Sequence, residues 1–178
     1  MIIHLPVQQK NLTRRQRGYS VAELPAVLWI ILIGLLFPLI IMTSMGYRAT
    51  ILFFGSDSAC RKAAKAPTFT DAQARATSTL TANLASFSGL SAVTPTLFVL
   101  VKPLSGGSAV TFPSKLAAGT VDTSKNIYFL LMRVDADIDP LVRFDTKWMG
   151  MAIPGLTDPY SLRLNVESYV ENPNGLTE

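Results

Sequence analysis

An uncharged apolar run near the N-terminus constrains this chain more than any other feature. It extends from Leu24 to Met45, 22 residues rich in leucine and isoleucine. A helix of that length is about 33 Å long at 1.5 Å per residue, which matches the hydrocarbon thickness of a bilayer. The run therefore predicts a membrane-anchoring helix, which includes Trp29 and Pro38.

A cleavable secretory signal does not fit this run. The apolar cores of secretory signals are about 7–15 residues long and precede a small-x-small cleavage site. The sequence MTSMGYR at residues 42–48 lacks that pattern, so we expect the helix to remain on the mature protein. Pro38 removes a backbone donor and clashes with the preceding turn, which predicts a kink or a locally melted turn.

The net positive charge of the chain lies ahead of this helix. The formal net charge is +4, and residues 1–18 contain no acidic side chain but four basic ones, Lys10, Arg14, Arg15 and Arg17. Basic residues beside an apolar run predict a cytoplasmic N-terminus and an outward C-terminal part. A nucleic-acid-binding surface would instead be a basic stripe on the folded domain. The remaining residues carry 12 basic and 12 acidic side chains, so the sequence does not favour nucleic acid as a partner.

An acidic residue, Glu23, directly precedes the apolar run. A charged residue near membrane depth is costly and by default indicates a functional position. An acid whose carboxylate extends to the membrane–water interface would cost little and would not indicate a function. The spacing from Gly18, which follows the basic cluster, favours the functional interpretation. With Gly18 as the residue before a cut, Tyr19 would be the first mature residue and Glu23 the fifth.

The segment RRQRGYSVAEL around these residues resembles the processing site of type IV prepilins and their relatives. The resemblance implies that a membrane-bound prepilin peptidase cuts between Gly18 and Tyr19 on the cytoplasmic side. It also implies that Glu23 pairs with the new amine of a neighbouring subunit. Two charges in a low-dielectric helix bundle attract strongly but are expensive to desolvate, so such a pair penalises wrong register in a filament.

Within that superfamily the chain is most similar to the TadE-like minor pilins and pseudopilins of the tight-adherence (Tad) pilus system. SVAELPAVL at residues 20–28, SACRKAAK at 58–65 and the region 137–173 carry this similarity. It implies other pilin subunits, an inner-membrane assembly platform and the lipid bilayer as partners. It implies a bacterial inner-membrane protein with a periplasmic C-terminus that later enters an extracellular pilus. A pseudopilin of a type II secretion or competence system is the alternative within the superfamily.

The whole sequence predicts an α+β fold: an N-terminal transmembrane helix that extends into a helical segment, followed by an antiparallel β-sheet extracytoplasmic domain. We divide the chain into a cleaved basic leader at residues 1–18, the transmembrane helix with its extension at 19–66, and an α+β extracytoplasmic domain at 67–178. In the extension, the helical period places four residues on one face: Tyr47, Ile51, Phe54 and Ser58.

One further helix and three strands are predicted in the extracytoplasmic domain. Capping-box spacing at Thr70 opens a helix that ends near Phe87. Segments rich in β-branched and aromatic residues, bounded by Pro, Gly and Asp, predict the strands Thr94–Pro103, Asn126–Ile138 and Tyr160–Glu171. The sequence SGGSA at 105–109 reads as a turn between strands.

The pattern D-x-D-x-D at Asp135, Asp137 and Asp139 resembles the start of a calcium-binding loop. An EF-hand loop needs glycine and glutamate at its sixth and twelfth positions, where this chain has Pro140 and Thr146. We therefore interpret the pattern as a strand whose aspartates face water, and we expect no metal or cofactor.

Catalytic motifs are not predicted either. The only histidine is His4 in the leader, and the only cysteine, Cys60, is interpreted as a small buried residue. A serine triad needs a general base, so a membrane-tethered hydrolase is not favoured and we expect no enzyme activity. The alternative from a different class is an uncleaved signal-anchor protein that presents a binding or sensor domain outside the membrane.

Overall fold

The computed structural model describes residues 23–141, 155 and 158–178. The chain divides into two compact units, Met1–Met42 and Thr43–Glu178. The predicted divisions after residues 18 and 66 stay predictions.

The long helix α1 extends over Glu23–Ala64, 42 residues. Its leucine, isoleucine and alanine content favours a helix, and only one turn departs from the α-helical pattern. That turn, Leu32–Leu36, is π-helical and is followed by the regular segment Phe37–Ala64.

The second helix, α2, extends over Phe69–Leu84. Its N-cap is Thr68, whose side-chain oxygen accepts a hydrogen bond of 3.1 Å from the backbone N–H of Asp71. The sequence predicted the same helix but placed the cap at Thr70. The hydroxyl at position 68 satisfies a backbone donor that has no partner inside the helix, so the helix begins earlier than predicted.

Four strands form an antiparallel sheet in the order β2-β1-β3-β4 among the described residues. Their bounds are Leu90–Pro103 for β1, Val110–Phe112 for β2, Asn126–Ile138 for β3 and Tyr160–Tyr169 for β4. The two central strands are the longest, and both contain many β-branched and aromatic side chains, which favour the extended conformation.

The predicted strands are confirmed, with changes at their ends. β3 has the predicted bounds, whereas β4 ends at Tyr169 instead of Glu171. β1 begins earlier, at Leu90, because a bulge near Ala92 interrupts the alternation from which strands are recognised. The short strand β2 follows the predicted turn at residues 105–109.

The inner face of the sheet packs against both helices, and this contact forms the core of the unit Thr43–Glu178. Alternate side chains of β3 are buried there: Tyr128, Leu130, Met132, Val134 and Ala136. The predicted inward residues of β4 are confirmed: Val166 is buried, and Leu162 and Leu164 pack against the same core. The structure is therefore α+β, with a long apolar N-terminal helix and an antiparallel four-stranded sheet.

Candidate membrane anchor and assembly surface

The first part of α1 carries apolar side chains that the protein itself leaves uncovered. Leu24 is 61% exposed, Trp29 is 62% exposed and Leu35 is 66% exposed. By length and composition α1 is the one helix among the described residues that could cross a membrane, and only 6% of its apolar window is buried. A core helix of a globular protein would bury this surface, so these residues need a cover of another kind.

The π-helical turn lies directly ahead of Pro38. A proline in a helix cannot donate to the carbonyl four residues earlier, here that of Gly34, and its ring clashes with that carbonyl. A turn widened to the π pattern makes room for this carbonyl. The irregularity predicted near Pro38 is thus present as a widened turn over Leu32–Leu36, and the helix continues on both sides of it.

Glu23 is exposed and helical, and Leu24 of the apolar run follows it directly. The residues predicted for processing and topology lie outside the described part of the chain: Lys10, Arg14, Arg15, Arg17, Gly18 and Tyr19. The assembly role of Glu23 and the cut after Gly18 accordingly stay predictions.

Small residues on one face of α1 bring the helix close to the rest of its unit. This small-residue face consists of Gly55, Ser56, Ala59, Cys60 and Ala63, all of them buried. Asn83 of α2 donates a hydrogen bond of 3.3 Å to the carbonyl of Gly55. Leu84 of α2 lies 3.3 Å from the position that a Cβ at Gly55 would occupy, so a side chain at position 55 would require Leu84 to shift by a few tenths of an ångström.

Cys60 reaches the sheet from this face. Its Sγ lies 3.5 Å from the carbonyl oxygen of Leu130 and 3.6 Å from that of Val166. Burial raises the pKa of the Cys60 thiol to about 11, because the thiolate would lose its hydration. The interpretation of Cys60 as a small buried residue is confirmed.

Three exposed aromatic side chains lie on α1 outside the small-residue face, and we name them the aromatic ridge. Tyr47 and Phe54 lie opposite that face, whereas Phe53 lies at its edge. Tyr47 is 63% exposed, Phe53 is 45% exposed and Phe54 is 64% exposed. The rings of Phe53 and Phe54 meet edge to face, with their centroids 5.8 Å apart. The face predicted from the helical period, on which Tyr47 and Phe54 lie, is therefore the one turned away from the core.

Arg48 ties α1 to the ends of two strands. Its Nη1 donates a hydrogen bond to the carbonyl of Asp139, and the N–H of Asp139 donates a bond of 3.0 Å to the carbonyl of Gly89. Gly89 precedes β1 with a φ of +85°, and a Cβ there would overlap the guanidinium of Arg48. Glycine is favoured at position 89 by its backbone conformation, and its missing Cβ leaves room for the guanidinium of Arg48.

Charged and polar side chains on the outer face of the sheet form an ion pair and a hydrogen bond. Asp135 and Arg163 form an ion pair of 2.5 Å, and this contact raises the pKa of the arginine. Asp137 accepts a hydrogen bond of 2.6 Å from the hydroxyl of Ser161. These four side chains line an open cavity of about 490 Å³. Within the described residues no group of three or more His, Cys, Asp or Glu side chains is arranged to hold a metal ion.

Aromatic residues on the same face are overlaid by cations. The Nζ of Lys102 lies 4.4 Å from the ring centroid of Phe129, and it also pairs with Glu167 at 2.6 Å. The guanidinium of Arg133 lies 4.9 Å from the ring centroid of Phe98. Cations held over these rings shield them from water, so this sheet face is less apolar than its sequence indicates.

Comparison of the chain with family models, with curated proteins and with solved structures gives no match.

Proposed function

We propose that this chain is a prepilin-like membrane protein, a TadE-like minor pilin or pseudopilin, that takes part in the assembly of an extracellular Tad-type pilus. The observation that carries the proposal is the contrast along α1. Its first part is apolar and uncovered, whereas its last part packs onto a folded α+β unit through small residues. A filament subunit needs both a helix that is free to pack among other helices and a folded unit to display outside.

The apolar part first serves as a membrane anchor. Leu24–Met45 spans the hydrocarbon layer with the N-terminus in the cytoplasm, because the basic residues precede the helix. The unit that begins at Thr43 then lies on the periplasmic side of a bacterial inner membrane. That unit carries 12 basic and 11 acidic side chains, a nearly even balance that suits exposure to solvent rather than attachment to an anionic polymer.

Processing and assembly follow from the segment ahead of the anchor. A prepilin peptidase cuts after Gly18 and leaves the helix on the mature chain, as the length of the helix requires. Tyr19 then carries a free amine, and Glu23 forms an ion pair with the amine of an adjacent subunit in the filament. The pair forms only in the correct register, since a misaligned subunit would leave two charges unpaired in an apolar bundle.

N-terminal sequencing of the protein extracted from membranes tests this proposal. Processing predicts a chain that starts at Tyr19, whereas a start at Met1 would contradict it and favour the uncleaved signal-anchor protein. A Gly18→Leu variant should keep its leader. A Gly46→Leu variant is the matched control, because a Cβ at position 46 meets no atom within 4 Å, and it should be processed normally.

A further inference from the structure

The outer edge of β4 carries backbone groups with which no strand pairs in the described part of the chain. β4 has β3 on one side, and its other side is an edge of the sheet. The N–H of Val170 donates a hydrogen bond of 3.1 Å to the carbonyl of Tyr128, and hydrogen-bonded residues alternate along an antiparallel pair. The even-numbered residues of β4 are therefore bonded to β3, and the odd-numbered ones direct their N–H and C=O groups outwards. These residues, all of them exposed, are Ser161, Arg163, Asn165, Glu167 and Tyr169.

The two edges of the sheet differ in their protection against another strand. At β1 the short strand β2 pairs with Val99–Val101, and Pro95 has no N–H with which a further strand could pair. The 10 residues of β4 contain neither proline nor glycine, and their register with β3 has no bulge. A regular edge strand of this length is open to pairing with another strand.

The charges on β4 are complementary to those of the same strand turned end to end. When two copies pair antiparallel with Asn165 opposite Asn165, Arg163 lies opposite the partner's Glu167. Opposite charges that face each other across two strands stabilise the pair, and like charges destabilise it. A slide of two residues leaves these charges opposite uncharged residues, and a slide of four places two arginines or two glutamates face to face. The charges therefore select one register.

We infer that β4 pairs antiparallel with β4 of a second copy about Asn165, which joins the two sheets into one. Five facing pairs of odd-numbered residues exchange about ten backbone hydrogen bonds, because each such pair exchanges two. On the inner face of the joined sheet, Leu164 lies opposite the partner's Val166, so the apolar core continues across the contact.

Neighbouring charges extend the contact on the outer face. The Nε of Arg163 donates to Asp135 at 2.5 Å, and a guanidinium has further N–H donors for a second carboxylate, that of the partner's Glu167. Glu167 is itself paired with Lys102 at 2.6 Å. Four charges of alternating sign therefore cross the contact on each side of its two-fold axis.

The pairing points the two α1 helices in opposite directions. A Cβ at Gly155 would lie 2.7 Å from Met45 and 3.9 Å from Tyr160, the first residue of β4. Beyond the end of β4, the N–H of Glu171 donates a hydrogen bond of 3.3 Å to the carbonyl of Ala64. This stretch of α1 therefore runs in the same direction as β4, and the two-fold axis reverses it. The pair accordingly joins copies on two facing surfaces, a consequence that rests on the anchor of the proposed function, whereas the strand pairing does not.

A cysteine on the two-fold axis tests the pairing in the full-length chain solubilised in detergent. Asn165→Cys brings two Cα atoms to about 5.5 Å from each other, within the range of a disulfide, so oxidation with copper phenanthroline should give a dimer. Ser161→Cys is the matched control, because its two copies lie about 27 Å apart and should give none. The unaltered chain, whose only cysteine is the buried Cys60, should also give none. Equal dimer yields from the two variants, or no dimer from Asn165→Cys, would overturn the inference.

Charge-reversed variants test the register. Arg163→Glu alone places glutamates opposite each other, and Glu167→Arg alone places arginines opposite each other. Each should raise the dissociation constant of the dimer about tenfold or more. An equimolar mixture of the two variants restores opposite charges at both places and should recover the dimer in sedimentation equilibrium. Unchanged dissociation of the single variants, or no recovery in the mixture, would contradict this register.

Lipid vesicles test the facing arrangement. Phosphatidylcholine vesicles that hold only Ser161→Cys, mixed with vesicles that hold only Tyr169→Cys, should give a disulfide-linked heterodimer, because these two positions lie opposite each other across the contact. A heterodimer that forms only when both variants share a vesicle would overturn the facing arrangement.

The outcome is separable from that of the proposed function. A chain that starts at Tyr19 but gives no dimer through Asn165→Cys keeps the pilin proposal and rejects the strand pairing. A chain that starts at Met1 and gives the dimer rejects the pilin proposal and keeps the strand pairing.

Discussion

Glu23 and Arg48 are the two charged residues of α1 nearest to the ends of the uncharged run, and the sequence treats them alike. The structure separates them. Arg48 is bound within its unit to the carbonyl of Asp139, whereas Glu23 is exposed at the start of the described helix. A structural role accounts for the arginine. The proposed assembly would give the glutamate its function, as the ion-pairing partner of an adjacent subunit's amine.

Replacing Glu23 by Gln keeps the size of the side chain and removes its charge. We expect normal membrane insertion and at least a tenfold fall in incorporation into fibres, since breaking a buried ion pair costs about 3–5 kcal/mol. Quantification of the protein in sheared fibres against total membranes measures this. The control is Glu171→Gln, which removes an exposed acid paired with Lys65 and should not change incorporation. Normal incorporation of the Glu23→Gln variant would contradict the proposed pairing of Glu23 with the amine.

Gly89 and Gly106 share a φ of +85°, but only Gly89 faces the guanidinium of Arg48. Alanine at either position should cost about 1–2 kcal/mol of unfolding free energy for the left-handed backbone, and Gly89→Ala should cost more because it displaces Arg48. In an Arg48→Ala background the two glycine variants should become equal. Thermal unfolding of the detergent-solubilised chain measures these differences, and equal losses with Arg48 present would contradict the contact.

Cys60 should resist alkylation in the folded protein. Its thiol is buried with a pKa near 11, so at pH 8 the reactive thiolate is scarce and shielded. We expect slow labelling by iodoacetamide in native membranes and complete labelling after denaturation. The folded-state pKa is raised above the ordinary value of 9.0, so the contribution of this thiol to stability is present below pH 9 and is lost as the pH rises towards 11. Rapid labelling of the native protein would contradict this burial.

At the scale of elements, α1 is the clearest case of a helix whose existence the sequence predicts and whose buried face it does not. The period of large apolar residues placed Tyr47 and Phe54 on one face, and that face is exposed. The buried face is made of small residues, which carry little hydropathy signal and contribute by allowing close contact. The regular spacing of Leu52, Ser56, Ala59 and Ala63 could have indicated this face if small residues had been given weight.

Filling the small-residue face should therefore destabilise the folded unit. Ala59 is fully buried, and Ala59→Leu should lower the free energy of unfolding by about 1–3 kcal/mol through overpacking. Ala74→Leu adds the same atoms to an exposed position of α2 and should be nearly neutral. Thermal or urea unfolding compares the two variants, and equal stability would show that α1 does not pack tightly at position 59.

At the scale of the whole molecule, the exposed apolar part of α1 should keep the chain in a membrane. Leu35 lies near the middle of the run, and a lysine there costs about 2.5–3.5 kcal/mol on insertion. The double variant Leu32→Lys and Leu35→Lys should move the protein from the pellet to the supernatant in carbonate extraction. Leu104→Lys, at an exposed leucine of the β1–β2 turn, should leave it in the pellet, and retention of the double variant would contradict the anchor.

The sequence by itself determined the elements whose signal is local. The uncharged length of Leu24–Met45 predicts the helix, and the alternation in β3 and β4 predicts strands with the correct inward side. The bounds of Asn126–Ile138 agree because turn-forming residues and Pro140 flank a continuous run of strand formers.

Only the tertiary structure decided which surfaces meet. In the tertiary structure the small residues of α1 pack against the sheet, and the aromatic ridge is exposed. Arg48 donates a hydrogen bond to a carbonyl 91 positions away, and cations lie over the aromatic rings of the sheet. Such contacts join positions far apart in sequence, and their energies depend on close approach and shape, which local periodicity does not encode.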